Sequence, residues 1–123
     1  MKLKNPTDLI LDAAFAEHVC KLGVRYEARI SAPDGAKVLC HSEEYGVCEE
    51  MPRYTQSADL VLPSLEKFDG HLNGPEINFF MGTWEVVLNG AHTRSHRATG
   101  SSFAKTAVIA LLLAHGIEIE FTP

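Results

Sequence analysis

Hydrophobic positions change their period several times along the chain, and each change marks an element. Leu9, Ala13, Ala16 and Cys20 recur at helical spacing, with Ile10, Ala14 and Phe15 widening the stripe. Asn5 before Pro6 reads as an N-cap and first helical residue, and Gly23 as a stop. The pattern predicts a helix over 6–22. "VRYEARIS" then alternates, with Val24, Tyr26, Ala28 and Ile30 on one face, as a half-buried strand does. Pro33, Asp34 and Gly35 supply a turn, and "VLCHSEEY" returns as the second strand of a hairpin.

After a connector beginning at Pro52, Thr55 or Ser57 caps a second helix to about Phe68. It carries Leu60, Val61, Leu62, Leu65 and Phe68. Pro63 lies too deep for a first-turn proline if Thr55 is the cap. The expectation is a late start at Ser57 or a kink near Asp59. "DGHLNGP" is a polar loop, and "EINFFMG" and "TWEVVLNG" are two strands joined tightly at Gly82–Thr83. "AHTRSHRATG" reads as a loop or ragged strand, and "IEIEF" alternates as a terminal strand. Trp84 reads as a buried anchor of the fourth strand.

"TGSSFAKTAVIALLLAHG", Thr99 to Gly116, raises the question of a phosphate-binding loop. Ala104 stands where the second glycine belongs, and the loop is one residue short. The segment reads instead as a helix, capped by Ser101 or Ser102 and closed by Gly116 at the C′ position. Ala107 to Ala114 is apolar all round, so this helix must be covered on more than one side. Burial within the protomer is the preferred reading, and a homodimer interface the alternative. The order of elements predicts an α+β fold: a small single-domain α/β sandwich over 1–123, with three helices and a mostly antiparallel sheet of four to five strands.

Composition narrows the functional classes. The 123 residues carry a net charge of -5, which disfavours nucleic acid and suits a protein partner with a basic surface. The longest apolar run is too short to span a bilayer, so no membrane role is expected. "MKLKNPTDL" lacks the apolar segment of a secretory signal. Cys20, Cys40 and Cys48 are an odd number without a regular framework and read as reduced thiols in a cytoplasm.

Three stretches are familiar together: "DAAFAEHVCKLG" (Asp12 to Gly23), "PRYTQSADLVLPSLEKF" (Pro52 to Phe68) and "FAKTAVIALLLAHG" (Phe103 to Gly116). In this order they resemble the small phage proteins grouped as the phage ABA sandwich domain. Val24 stands where that pattern often has Trp. The resemblance implies a phage or prophage origin and an α/β sandwich. It carries over no catalytic activity and no site residues.

Two charged patches are the candidate binding sites. Glu43, Glu44, Tyr45, Glu49 and Glu50 form an acidic stretch at the end of the first hairpin. Such a run is usually a solvated edge, and its functional reading is a surface aimed at a basic groove. His92, Arg94, His96 and Arg97 form a local basic patch ahead of a helix N-terminus, which suits an anion. No metal site is expected. His18 and Cys20 point apart on a helix, and Cys40 and His41 face opposite sides of a strand. No cofactor and no catalytic residues are expected either.

The leading functional expectation is a non-enzymatic phage accessory protein that binds a host or phage protein, in its specific form inhibiting a host defence system. The alternatives are a small anion or nucleotide binder or enzyme using the His92–Arg97 loop, and a homo-oligomeric structural or assembly component.

Overall fold

The computed structural model describes residues 2–27, 37–42, 47–50, 52–68, 75–88 and 95–122, of which 23–27, 37–42 and 47–50 are described through their backbone. The fold is α+β, as the order of elements predicts. Eight strands lie among the described residues. They form three small sheets in place of the one sheet expected.

The third helix organises the molecule. It is α3, Phe103–Ala114, and the capping expectations hold at both ends. Ser102 is the N-cap, its hydroxyl accepting from the Lys105 N–H at 3.4 Å. Gly116 takes φ +88° at C′. The Gly116 and Ile117 N–H groups donate to the Leu113 and Leu112 carbonyls at 3.1 and 3.0 Å, and Ile117 is buried behind the turn. This is a Schellman closure, in which the left-handed residue brings two N–H groups back onto orphan carbonyls. Ala107, Val108, Ala110, Leu111 and Leu112 have no solvent exposure. Helix α3 is thus covered within the protomer, and no subunit interface is needed to explain its composition.

Its cover comes from both ends of the chain. The first helix, α1, spans Asp8–Ala14 and continues as one π turn over Phe15–Val19. Its N-cap is Thr7, whose hydroxyl accepts from the Ile10 N–H at 3.3 Å, rather than Asn5. Asn5 has another role. Strand β1 (Lys2–Lys4) runs parallel to β8 (Glu118–Glu120), and Asn5 clasps Thr122 through two 2.7 Å hydrogen bonds. Lys21, at φ +61°, takes the left-handed conformation beyond this helix, and Gly23 opens β2.

Strands β2 (Gly23–Glu27) and β3 (Lys37–Ser42) form the expected antiparallel hairpin, extended by β4 (Val47–Glu50). A 3-10 turn, Tyr54–Gln56, leads to α2, Ala58–Glu66. Helix α2 starts at Ser57, the later of the two caps expected, and Pro63 still lies inside it. Ser57 holds the N-cap position without a side-chain hydrogen bond. The remaining sheet is β5 (Glu76–Phe80), β6 (Thr83–Leu88) and β7 (His96–Gly100), antiparallel in that order. Helix α3 packs on β6 and β7, and against α1, α2 and the 3-10 turn on its other sides.

One polar group ties this core together. Asp12, 3% exposed, accepts the Thr55 N–H at 2.8 Å, so α1 satisfies a buried backbone donor of the 3-10 turn. Burial pushes the Asp12 carboxyl above its ordinary value, against the opposing pull of the Thr55 N–H hydrogen bond.

Two outcomes follow for chemical denaturation. Leu111→Ala should cost about 2–5 kcal/mol, from lost transfer energy plus the cavity at the centre of the core. Asp12→Ala should cost about 1–3 kcal/mol by stranding the Thr55 N–H, whereas Asp12→Asn keeps an acceptor there. An acid whose folded pKa is raised binds more protons folded than unfolded. Its contribution to stability therefore falls as pH rises from its unfolded value near 3.8 towards the folded value. Asp12→Asn should gain on the wild type across that interval, and parallel pH profiles for the two would contradict the assignment.

Candidate functional site

The β5–β6–β7 sheet has two unlike faces. On one, Asn78, Glu85 and Arg97 lie across the three strands. The Asn78 amide donates to Glu85 at 3.2 Å, and Arg97 forms an ion pair with the same carboxylate. On the other, Ile77 and Phe79 of β5 stand beside Val86 and Trp84 of β6, and Val86 stands beside Ala98 of β7. Val86, Leu88 and Ala98 are buried under α3. Trp84 is half-buried rather than buried, its ring 4.6 Å from Phe79 and 5.2 Å from Phe103.

A helix is about 10 Å across and neighbouring strands are about 4.8 Å apart, so one helix covers two strands. Helix α3 covers β6 and β7. Strand β5 overhangs, and all five of its residues are exposed. Ile77 is 40% exposed, Phe79 57%, Phe80 76% and Met81 86%. Phe80 and Met81 stand at the hairpin tip, where Met81 and Gly82 take φ +51° and +79°. Phe80 pairs with Thr83, so the turn is the two-residue, left-handed type whose twist suits a hairpin, one residue earlier than the Gly82–Thr83 junction expected. An apolar strand and tip of this size, beside a polar row, has the character of a contact surface.

The expected charged sites are placed differently. His96 and Arg97 are not loop residues. They lie in β7, paired with Leu88 and Val87, and Arg97 is committed to Glu85. His92 and Arg94 lie outside the described residues, as do Glu43, Glu44 and Tyr45. Glu49 and Glu50 sit in β4, in register with Cys40 and Leu39. His41 and Cys48 are also register partners. No group of three His, Cys, Asp or Glu side chains that could hold a metal occurs among the described residues.

Two depressions among the described residues lie away from the hairpin. One, of about 250 Å³, is lined by Thr99 to Ser102, Lys105, Thr106, Ile109 and Phe121. Its Gly100–Thr106 wall is the stretch that falls short of a phosphate-binding loop. Its lysine is already paired, Nζ lying 2.9 Å from Asp8, and the Thr106 hydroxyl donates to the Ser102 carbonyl at 2.6 Å. The other, of about 280 Å³, lies between Val19, Ser64, Lys67, Phe68, Ala114 and His115. Cys20, a free thiol, hydrogen-bonds with Tyr54 and Ser64. Burial raises its pKa and keeps it in the unreactive thiol form.

The sequence held one signal for the hairpin. "INFFM" places large apolar residues on both faces of a single short strand, which a half-buried strand does not do. Comparison with protein-family models, with curated proteins and with solved structures gave no match. The resemblance to the phage proteins therefore rests on its three short motifs. No helix among the described residues is long and apolar enough to cross a membrane.

Arg97→Ala should lower stability by less than about 1 kcal/mol, because both members of the ion pair reach solvent. A thermal melt showing a larger loss would give the polar row a structural weight that its exposure does not.

Proposed function

We propose that the protein acts by binding another macromolecule through the β5–β6 hairpin, and not by catalysis. One observation carries this reading: Ile77, Phe79, Phe80 and Met81 form a contiguous exposed apolar strand and tip on a sheet that buries Val86, Leu88 and Ala98 under α3. Large apolar and aromatic residues, Met and Phe among them, are the types that anchor protein–protein contacts. The partner we propose is a protein of an infected bacterium, with inhibition of a host defence system as the specific form; the resemblance of three short motifs to phage proteins is what supports this.

The test is affinity capture from lysate of the encoding bacterium with wild type, with Phe80→Ser/Met81→Ser and with Glu49→Gln/Glu50→Gln. Partners bound through the hairpin should be lost from the first variant and retained by the second, with both variants melting close to wild type. Partners lost only from the glutamine variant would return the contact to the acidic stretch.

A further inference from the structure

The edge of β5 opens a question that the hairpin tip does not answer. Among the described strands, β6 pairs with one side of β5, and none pairs with the other. Natural edge strands are commonly blunted by Lys, Pro or a bulge. From Glu76 to Phe80 this edge contains none of them; its register with β6 is unbroken. We infer that the β5 edge pairs antiparallel with β5 of a second copy of this chain, centred on Asn78, to give a two-fold dimer with a continuous six-stranded sheet. The inference rests on the reading of the hairpin as a contact surface, and it assigns separate work to its edge and its tip.

Backbone geometry selects the register. The two-residue turn makes Phe80 and Thr83 a hydrogen-bonded pair, and such pairs alternate along an antiparallel ladder. Glu76, Asn78 and Phe80 therefore spend their N–H and C=O groups on β6. Ile77 and Phe79 direct theirs outward. Only pairing about Asn78 sets Ile77 opposite Phe79 of the second copy twice over, which satisfies all four outward N–H and C=O groups of each strand's pair. Shifting the centre to Ile77 brings Phe79 opposite Pro75, which has no N–H.

The side chains fit the same register. Ile77 and Phe79, both half-exposed on the α3 side, meet each other across the two-fold. Asn78 meets Asn78. Glu76, the one charged residue of the strand, meets Phe80 and stands clear of the second Glu76 at the far end. No like-charge pair is created. The contact is one short strand wide, below the roughly 1,200 Å² of a standard interface, so the dimer is weak and forms in the micromolar range. The two Phe80–Met81 tips lie at opposite ends, about 14 Å apart at Phe80 and about 20 Å at Met81 along the paired strands, and Met81 stays open to another partner.

The experiment is sedimentation velocity over about 10 to 500 µM, where mass action must show a weak dimer. Wild type should move from monomer to dimer. Ile77→Lys and Phe79→Glu should each weaken association by roughly tenfold or more, by setting a charge against an apolar partner. Mixed in equal amounts, they should re-associate as a one-to-one dimer, because position 77 of one faces position 79 of the other. Circular dichroism checks that each variant is folded. Phe80→Ser/Met81→Ser should still dimerise, which separates this inference from partner capture at the tip. A wild type monomeric throughout the range overturns it. So does a dimer indifferent to both single changes, or a mixture that stays monomeric.

Discussion

The fold depends on covering a helix that has no polar side. Five residues of α3 lose all contact with solvent, and the rest of the chain is arranged around that demand. The β6–β7 face takes one flank. Helices α1 and α2 and the 3-10 turn take the others. Ala104, Ala107 and Ala110 keep part of the surface low, so neighbouring elements approach closely. Thr106, the buried polar exception, turns its hydroxyl back onto the Ser102 carbonyl and presents the core with a methyl group. Asp12 meets the same demand from outside: it closes the Thr55 N–H that packing the 3-10 turn against the core would otherwise strand.

What the sequence made legible is what is decided locally. Ser102 and Gly116 marked both ends of α3 because a cap is chemistry within four residues. Ser57, one of the two caps expected for α2, marked its start for the same reason. Apart from the one-residue shift of the β5–β6 turn, the misses are long-range. Thr7 displaced Asn5 as the cap of α1 because Asn5 is drawn to Thr122, at the other end of the chain. Strand β1 is three residues, too short to show a period, and it pairs with β8, the terminal strand that the alternation of "IEIEF" announces. One sheet was expected and three small ones form, of which strands β6, β7 and β8 pack on α3.

The contact surface failed to be legible for a related reason. "EINFF" announces a strand, but whether that strand is central or at an edge depends on which neighbours the topology supplies. Arg97 shows the converse. Its neighbours in sequence, Arg94 and His96, suggest a basic loop, while its spatial neighbour is Glu85, a strand away. The charge that looked available for an anion is spent inside the sheet.

An unguarded apolar edge is a hazard unless its pairing ends with one partner. Two-fold symmetry supplies that ending. In an isologous contact each copy uses the same surface, so joining two β5 edges leaves none for a third chain. A parallel or shifted pairing leaves Ile77 or Phe79 groups unmatched and permits further addition. Centring on Asn78 thus does two things at once: it satisfies the outward backbone and it closes the assembly. The net charge of -5 acts in the same direction, since like-charged copies repel unless a specific contact compensates. The same width limit that leaves β5 beyond the reach of α3 therefore accounts for both the exposed strand and the size of the assembly it can build.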